Sequence, residues 1–153
     1  MRKIHLILVL CLFSLSVLSQ KKETKDSKKW DVNNPHKDWK YNTFNLKTTE
    51  GTWMNIDVSP DGKTIVFDLL GDIYTMPISG GTSTILRSGL AYEVQPRFSP
   101  DGSQISFTSD AGGGDNIWVM SADGSDSKQV TKEDFRLLNN ACWTPDGQYF
   151  VAR

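Results

Sequence analysis

Three aspartates at repeating positions and one histidine are the residues of this chain that could carry out chemistry. Asp61, Asp101 and Asp146 are carboxylates of the kind that transfer protons or bind metal ions. A metal-dependent hydrolase site needs several histidines beside such an aspartate, and a serine triad needs a histidine base. Outside the apolar residues 1–19, His36 is the single histidine. We therefore predict no catalytic, cofactor-binding or metal-binding residue in this chain.

The other chemical candidates are Cys142, the one cysteine outside residues 1–19, and a glycine-rich loop. Cys142 lies between Ala141 and Trp143 with no basic residue nearby to activate it, so we predict a small buried apolar side chain. Residues 110–115 carry two carboxylates but lack the alternating oxygen ligands of a calcium loop, and we expect a flexible hairpin tip. The chain contains no Gly-x-Ser-x-Gly elbow and no Gly-x-x-x-x-Gly-Lys phosphate loop.

The recurring aspartates have a structural explanation, because each lies in a five-residue motif, ending in Pro-Asp-Gly, that occurs three times. The motifs begin at Val58, Phe98 and Trp143, which are 40 and then 45 residues apart. Proline fixes the second position of a tight turn, aspartate bonds to its own backbone, and glycine supplies the positive φ. A period of this size is typical of propeller blades. The predicted structural turn residues are Pro60, Asp61, Gly62, Pro100, Asp101, Gly102, Pro145, Asp146 and Gly147.

The segments around these turns predict short strands rich in β-branched and aromatic residues. In the first repeat the predicted strands are 53–58, 64–68, 72–78 and 84–86. In the second they are 93–98, 104–109, 116–121 and 128–131, and in the third 137–143 and 149–152. Alternation from residue 41 to 48 predicts a further strand, and tryptophans and tyrosines at strand positions are expected in the core. The predicted fold is all-β, with four-stranded antiparallel meanders forming about two and a half propeller blades.

The N-terminal part divides into a predicted signal peptide, residues 1–19, and a charged linker, residues 20–38. The first has a basic start and an apolar run too short to span a bilayer comfortably, although an uncleaved anchor is the alternative. Cys11 offers a minor lipoprotein alternative. The linker could instead be a basic membrane tether, but Glu23 and Asp26 dilute its charge. We predict export to the periplasm or outside the cell, without stable membrane insertion after cleavage.

The net charge and the incomplete third repeat both bear on what accompanies the predicted propeller, residues 39–153. Without residues 1–19 the chain has 15 basic and 18 acidic residues, a net charge of −3, which argues against nucleic acid. The third repeat stops within its second predicted strand, and an open propeller would leave unpaired strand edges. We expect the chain to be the N-terminal fragment of a longer polypeptide.

The repeated Ser-Pro-Asp-Gly turns, followed by Ile73-Tyr74 or Ile117-Trp118, resemble the WD-like propeller repeats of the periplasmic protein TolB. The same repeats occur in tricorn-type and prolyl-oligopeptidase-like exopeptidases. The resemblance covers residues 39–153 and implies a propeller fold. It leaves open a protein-interaction propeller of the Tol envelope system or the propeller of a serine peptidase.

A narrower resemblance rests on residues 50–62, 65–74 and 30–35, which are similar to the opening of exported bacterial amidohydrolases. Those proteins carry a TolB-like propeller before a metal-dependent hydrolase domain. The resemblance implies a complete protein that hydrolyses non-peptide carbon–nitrogen bonds, with a divalent metal such as zinc in a downstream domain. It also implies two kinds of partner: the downstream catalytic domain itself, and protein or peptide ligands. The propeller would gate or recruit substrate.

Overall fold

The computed structural model describes residues 31–32, 40, 42 and 45–153. The predicted signal peptide, most of the linker, Cys11, His36 and part of the strand expected at 41–48 lie outside the described residues. Every regular element in the described part of the chain is a β-strand. Within that part, no helix long and apolar enough to cross a membrane is found.

The strands form two four-stranded antiparallel sheets and one hairpin, each in simple chain order. The first blade consists of β1 (Ile56–Val58), β2 (Thr64–Leu69), β3 (Asp72–Pro77) and β4 (Thr84–Arg87). The second blade consists of β5 (Glu93–Phe98), β6 (Gln104–Ser109), β7 (Asn116–Ser121) and β8 (Lys128–Gln129). The third-blade hairpin pairs β9 (Cys142–Trp143) with β10 (Phe150–Val151). The all-β meander prediction is therefore confirmed.

Several predicted strands are shorter than expected or absent. β3 ends at Pro77 rather than at 78, β8 ends at Gln129 rather than at 131, and β10 covers Phe150–Val151 rather than 149–152. Residues 45–48 form no strand, because Thr48 and Glu50 instead close a local turn through the Thr48 hydroxyl. β1 begins at Ile56 rather than at 53, and β9 begins at Cys142 rather than at 137. Trp53 (φ 62°) and Asn140 (φ 51°) adopt left-handed backbone conformations that interrupt an extended chain.

The core lies between the two complete blades. Val66 and Ile73 of the first blade pack with Ile105, Phe107 and Met120 of the second. Consecutive residues of β2 and β6 are buried, among them Val66 with Phe67 and all five residues from 105 to 109, so both faces of these strands are covered. The blades therefore stack face to face.

The prediction for aromatic and thiol side chains is only partly correct. Trp118 and Trp143 are half-buried, and their rings pack on Phe107 and Phe150. Trp53 is 99% exposed, because its left-handed backbone places it before the first strand rather than inside it. Two further residues predicted to be buried, Tyr149 and Cys142, are also exposed. They lie on the third-blade hairpin, which no further described strand covers.

Candidate ligand site at the channel mouth

The three predicted turns share one hydrogen-bond pattern. In the first turn, the Gly62 amide donates to the Ser59 carbonyl at 2.8 Å. The Ser59 hydroxyl and the Lys63 amide both donate to Asp61 Oδ1, at 2.6 and 3.1 Å. The second and third turns repeat these bonds with Ser99 and Asp101, and with Thr144 and Asp146.

These bonds stabilise the charged form of each turn aspartate. Hydrogen bonds from the Ser99 hydroxyl and then from the Ser103 amide lower the pKa of Asp101 to about 2. The hydroxyls of Ser59 and Thr144 likewise lower the pKa of Asp61 and of Asp146 below the ordinary value. The aspartates are thus hydrogen-bonded acceptors within turns.

Successive turns also stack on one another at one end of the blades. A Cβ atom added to Gly102 would lie 3.3 Å from Cδ of Pro60 in the preceding turn. The corresponding distance from Gly147 to Cδ of Pro100 is 3.6 Å. The Pro-Asp-Gly motif therefore contributes to the contact between neighbouring blades as well as forming the turn of each hairpin.

The first strands of the blades lie side by side. The Phe98 amide of β5 donates to Asp57 Oδ2 of β1 at 2.8 Å. The Trp143 indole N–H of β9 donates to the Arg97 carbonyl of β5 at 3.2 Å. In a propeller, the strands that converge in this way are the inner strands around the central channel.

Left-handed backbone marks the beginning of each inner strand. Gln95 has φ 59° at a bulge where the pairing of β5 with β6 shifts between Val94 and Arg97. Together with Trp53 and Asn140, it is one of the five non-glycine residues with positive φ among the described residues. Such conformations cost about 1–3 kcal/mol each and concentrate at binding sites.

Side chains at this end also join the blades. Asp68, only 3% exposed, accepts hydrogen bonds from the Asn55 amide at 2.9 Å and the Gln95 amide at 2.7 Å. Gln95 Oε1 in turn accepts from the Thr108 hydroxyl at 3.0 Å and from the Asn140 amide at 2.7 Å. Gln95 consequently contacts all three repeats.

A cavity of about 440 Å³ opens where these strand starts meet. Its polar lining consists of Asn55, Gln95, Thr108, Asp115 and Asn139. Two exposed aromatic residues, Trp53 and Tyr92, line it as well, and Tyr92 is 59% exposed. We call this cavity, with Met54 and Val94, the channel mouth.

The loop predicted as a flexible hairpin tip contributes the acidic group of the channel mouth. The Gly113 amide donates to the Asp110 carbonyl at 2.8 Å, and Asp110 Oδ1 accepts the Tyr92 amide at 2.8 Å. Burial, and then the charge of Asp110, raise the pKa of Asp115. Within the described residues, no group of three or more histidine, cysteine, aspartate or glutamate side chains could hold a metal ion.

The predicted turn residues and the channel mouth lie at opposite ends of the inner strands. The nine turn residues follow β1, β5 and β9, whereas the channel mouth is lined by residues before or at the start of these strands, together with Thr108 and Asp115. Sequence reasoning missed the channel mouth because it placed Trp53 in the core. Asn140 was an available signal, since asparagine tolerates left-handed backbone better than most residues.

Four-stranded antiparallel meanders whose first strands converge on a channel define a β-propeller. The model of the TolB beta propeller domain matches residues 42–153, and the chain belongs to that family.

Among similar proteins, a solved structure of a putative TolB from Agrobacterium tumefaciens is 30% identical with a TM-score of 0.60. The alignment covers 69% of this chain and 40% of the chain in that structure. An uncharacterised protein of Agrobacterium fabrum is 39% identical over 77 residues, which are 48% of this chain and 26% of that protein. The Tol-Pal system protein TolB of Anaeromyxobacter dehalogenans is 50% identical over 36 residues, 24% of this chain and 8% of that protein. The matched part of the chain thus covers between 8% and 40% of the length of these relatives.

Proposed function

We propose that this propeller is an accessory domain that recruits a protein or peptide ligand to a metal-dependent amidohydrolase domain of the same exported polypeptide. The channel mouth is the observation that carries the proposal. It is a concave site with two exposed aromatic rings beside hydrogen-bonding groups.

The composition of the channel mouth suits recognition of a polypeptide. Tryptophan and tyrosine are enriched where interfaces carry most binding energy, because they bury large apolar area with few rotatable bonds. A ring as exposed as Trp53 loses most of its water contact when a partner covers it. The amides of Asn55, Gln95 and Asn139 lie beside these rings.

The catalytic part of the proposal rests on the resemblance of residues 50–62 and 65–74 to the opening of exported amidohydrolases. In this proposal, residues 1–19 direct export, residues 20–38 link the signal to the fold, and residues 39–153 form propeller repeats. Hydrolysis of non-peptide carbon–nitrogen bonds, and the divalent metal such as zinc that it needs, belong to a downstream domain.

The complete gene product, purified after expression from its own signal, tests this proposal. We expect bound divalent metal by elemental analysis and hydrolysis of amide or cyclic-amide substrates. Trp53→Ala and Tyr92→Ala should raise KM for a polypeptide-linked substrate about tenfold, since each removes a ring worth about 1 kcal/mol or more. Hydrolysis of a small free amide should not change.

Tyr149→Ala is the matched control, because Tyr149 is an exposed tyrosine outside the channel mouth. An equal effect of all three substitutions would refute recruitment through the channel mouth. A metal-free product without amide hydrolysis would refute the catalytic assignment.

A protein-interaction propeller of a Tol-type envelope system is the second candidate function. The identity to the Tol-Pal system protein TolB of A. dehalogenans over 36 residues supports it, as does the match to the putative TolB structure. This candidate predicts a metal-free product whose envelope partner is lost on Trp53→Ala and retained on Tyr149→Ala. Bound metal with amide hydrolysis would exclude it.

A further inference from the structure

We propose that the channel mouth binds an arginine side chain of a peptide ligand, with its guanidinium against the Asp115 carboxylate and the Trp53 and Tyr92 rings. The proposal rests on recruitment through the channel mouth and specifies the chemistry of the ligand. Charge, aromatic surface and the hydrogen bonds already formed around the cavity support it.

The charge of the cavity is negative. Asp115 lines it, and the carboxylate of Asp110 is close enough to act on Asp115 electrostatically. No lysine or arginine is among the described residues that line the cavity. A cationic group entering the cavity would therefore meet an uncompensated carboxylate in a partly desolvated position, where charge pairing is stronger than in water.

Asp115 is the charged group of the cavity, and its carboxylate is available to a ligand. Gln95 Oε1 already accepts hydrogen bonds from Thr108 and Asn140, and Asn55 Nδ2 donates to Asp68 at 2.7 Å. The Asp115 carboxylate makes no hydrogen bond or ion pair with any described residue. These bonds hold the Gln95 and Asn55 side chains in place beside the carboxylate, which lines a cavity that can hold a cationic partner.

The aromatic rings supply surfaces suited to a planar cation. Tyr92 is held in place by the hydrogen bond that its backbone N–H donates to Asp110 Oδ1, and by contact with Gly71, where an added Cβ would lie 2.9 Å from the ring. Gly71 has φ 87°, so the chain passes close beneath the ring without a side chain. Trp53 leaves almost its entire ring free for contact.

Arginine fits this combination better than lysine or a free amino terminus. A guanidinium stacks flat on tryptophan or tyrosine and can donate two parallel hydrogen bonds to one carboxylate. It is also less strongly hydrated than an ammonium group, so entry into a cavity costs less.

Fluorescence anisotropy of the complete gene product tests the proposal with labelled five-residue peptides. Each peptide has a blocked amino terminus and a central arginine, citrulline or lysine flanked by glycines. Citrulline keeps the shape of arginine and removes its charge. We expect the arginine peptide to bind at least tenfold more tightly than the citrulline peptide and several-fold more tightly than the lysine peptide.

Asp115→Asn and Trp53→Ala should each weaken arginine-peptide binding about tenfold, the loss expected for one partner of a desolvated charge or stacking pair. Asp126→Asn is the charge-matched control. Asp126 is an exposed aspartate in the turn between β7 and β8, with a φ of 54° that asparagine tolerates. It should leave affinity within twofold.

Equal affinity for arginine and citrulline peptides, or an unchanged affinity of Asp115→Asn, would overturn the arginine site. Equal binding of lysine and arginine would overturn the stacking part of the proposal. These results are distinguishable from failure of the proposed function, because Trp53→Ala would still raise KM for the polypeptide-linked substrate if recruitment uses another ligand chemistry.

Discussion

At the junction between the first and second blades, the buried carboxylate of Asp68 accepts the Gln95 amide at 2.7 Å. At the next junction the Asn140 amide is accepted at 2.7 Å by the neutral side chain of Gln95, which Thr108 supports. Asp68 and Thr108 occupy the same place in successive repeats, 40 residues apart. The first junction is charged, and the second is neutral.

The same contrast recurs between the last strand of one blade and the first strand of the next. Arg87 donates to Glu93, which is 2% exposed, with its Nη2 atom 2.7 Å from Oε1. The Arg87 guanidinium also lies 5.9 Å from the centre of the Phe107 ring. Thr131 and Leu138 occupy the corresponding positions at the second junction. The ion pair of the first junction is therefore not part of the repeat, because Leu138 has no polar side chain at the position of Glu93.

Arg87→Met should cause the largest loss of stability, because it leaves the Glu93 carboxylate buried without its cation. Breaking one partner of a buried ion pair costs about 3–5 kcal/mol. Urea unfolding of the purified chain, followed by circular dichroism, measures the change. Arg136→Met, at an exposed arginine, is the control and should stay within about 0.5 kcal/mol.

Adding Glu93→Gln to Arg87→Met should recover part of that loss, since the neutral amide removes the buried charge. Additive effects of the two substitutions would show that the ion pair does not contribute to the stability of this junction. The charged and neutral junctions would then not differ in how they are stabilised.

Asp68→Asn and Thr108→Val compare the two acceptor positions directly. The Asp68 carboxylate accepts hydrogen bonds from three N–H groups. In Asp68→Asn the side-chain NH2 group would face at least one of these donors, so the free energy of unfolding should fall by about 2–3 kcal/mol. Thr108→Val removes one hydroxyl while Gln95 keeps its bond to Asn140, a loss of about 1 kcal/mol. Equal losses in denaturant unfolding would contradict the distinction between the junctions.

Gly102→Ala and Gly147→Ala test the turn contacts, where the expected difference is smallest. Both glycines have positive φ, so alanine costs about 1 kcal/mol at each from backbone strain. Gly102 should lose a few tenths of a kcal/mol more, because its Cβ would approach Pro60 more closely than the Cβ of Gly147 approaches Pro100. Gly62→Ala has nothing within 4 Å of the added Cβ and measures the backbone cost alone. A larger loss for Gly147→Ala would refute this interpretation.

The local signals were sufficient to predict the blades from the sequence. Pro60, Asp61 and Gly62 each act through their own backbone, and β-branched and aromatic residues such as Val66 and Phe67 favour a strand. The bounds of β5, β6 and β7 match the predicted segments because turns with strong local preferences flank them.

The channel mouth could not be predicted in the same way, because it depends on contacts between repeats. The left-handed conformation of Gln95 is compensated by bonds to Asp68 and Asn140, which lie in other blades. Trp53 has a residue type common in strands, and only its backbone conformation places it outside β1. Burial of Cys142 likewise depends on neighbouring strands rather than on its flanking residues.

The three hydrogen bonds of Gln95 affect how blades of this kind can be duplicated or recombined. Its amide completes a bond of the preceding blade, and its side chain accepts a bond from the following one. A cassette cut at the ends of β4 and β8 would carry an amide matched to one predecessor and a side chain matched to one successor. A unit that retains both hydrogen bonds must therefore begin before Asp68 in β2 and extend past Asn140, so it is longer than one blade.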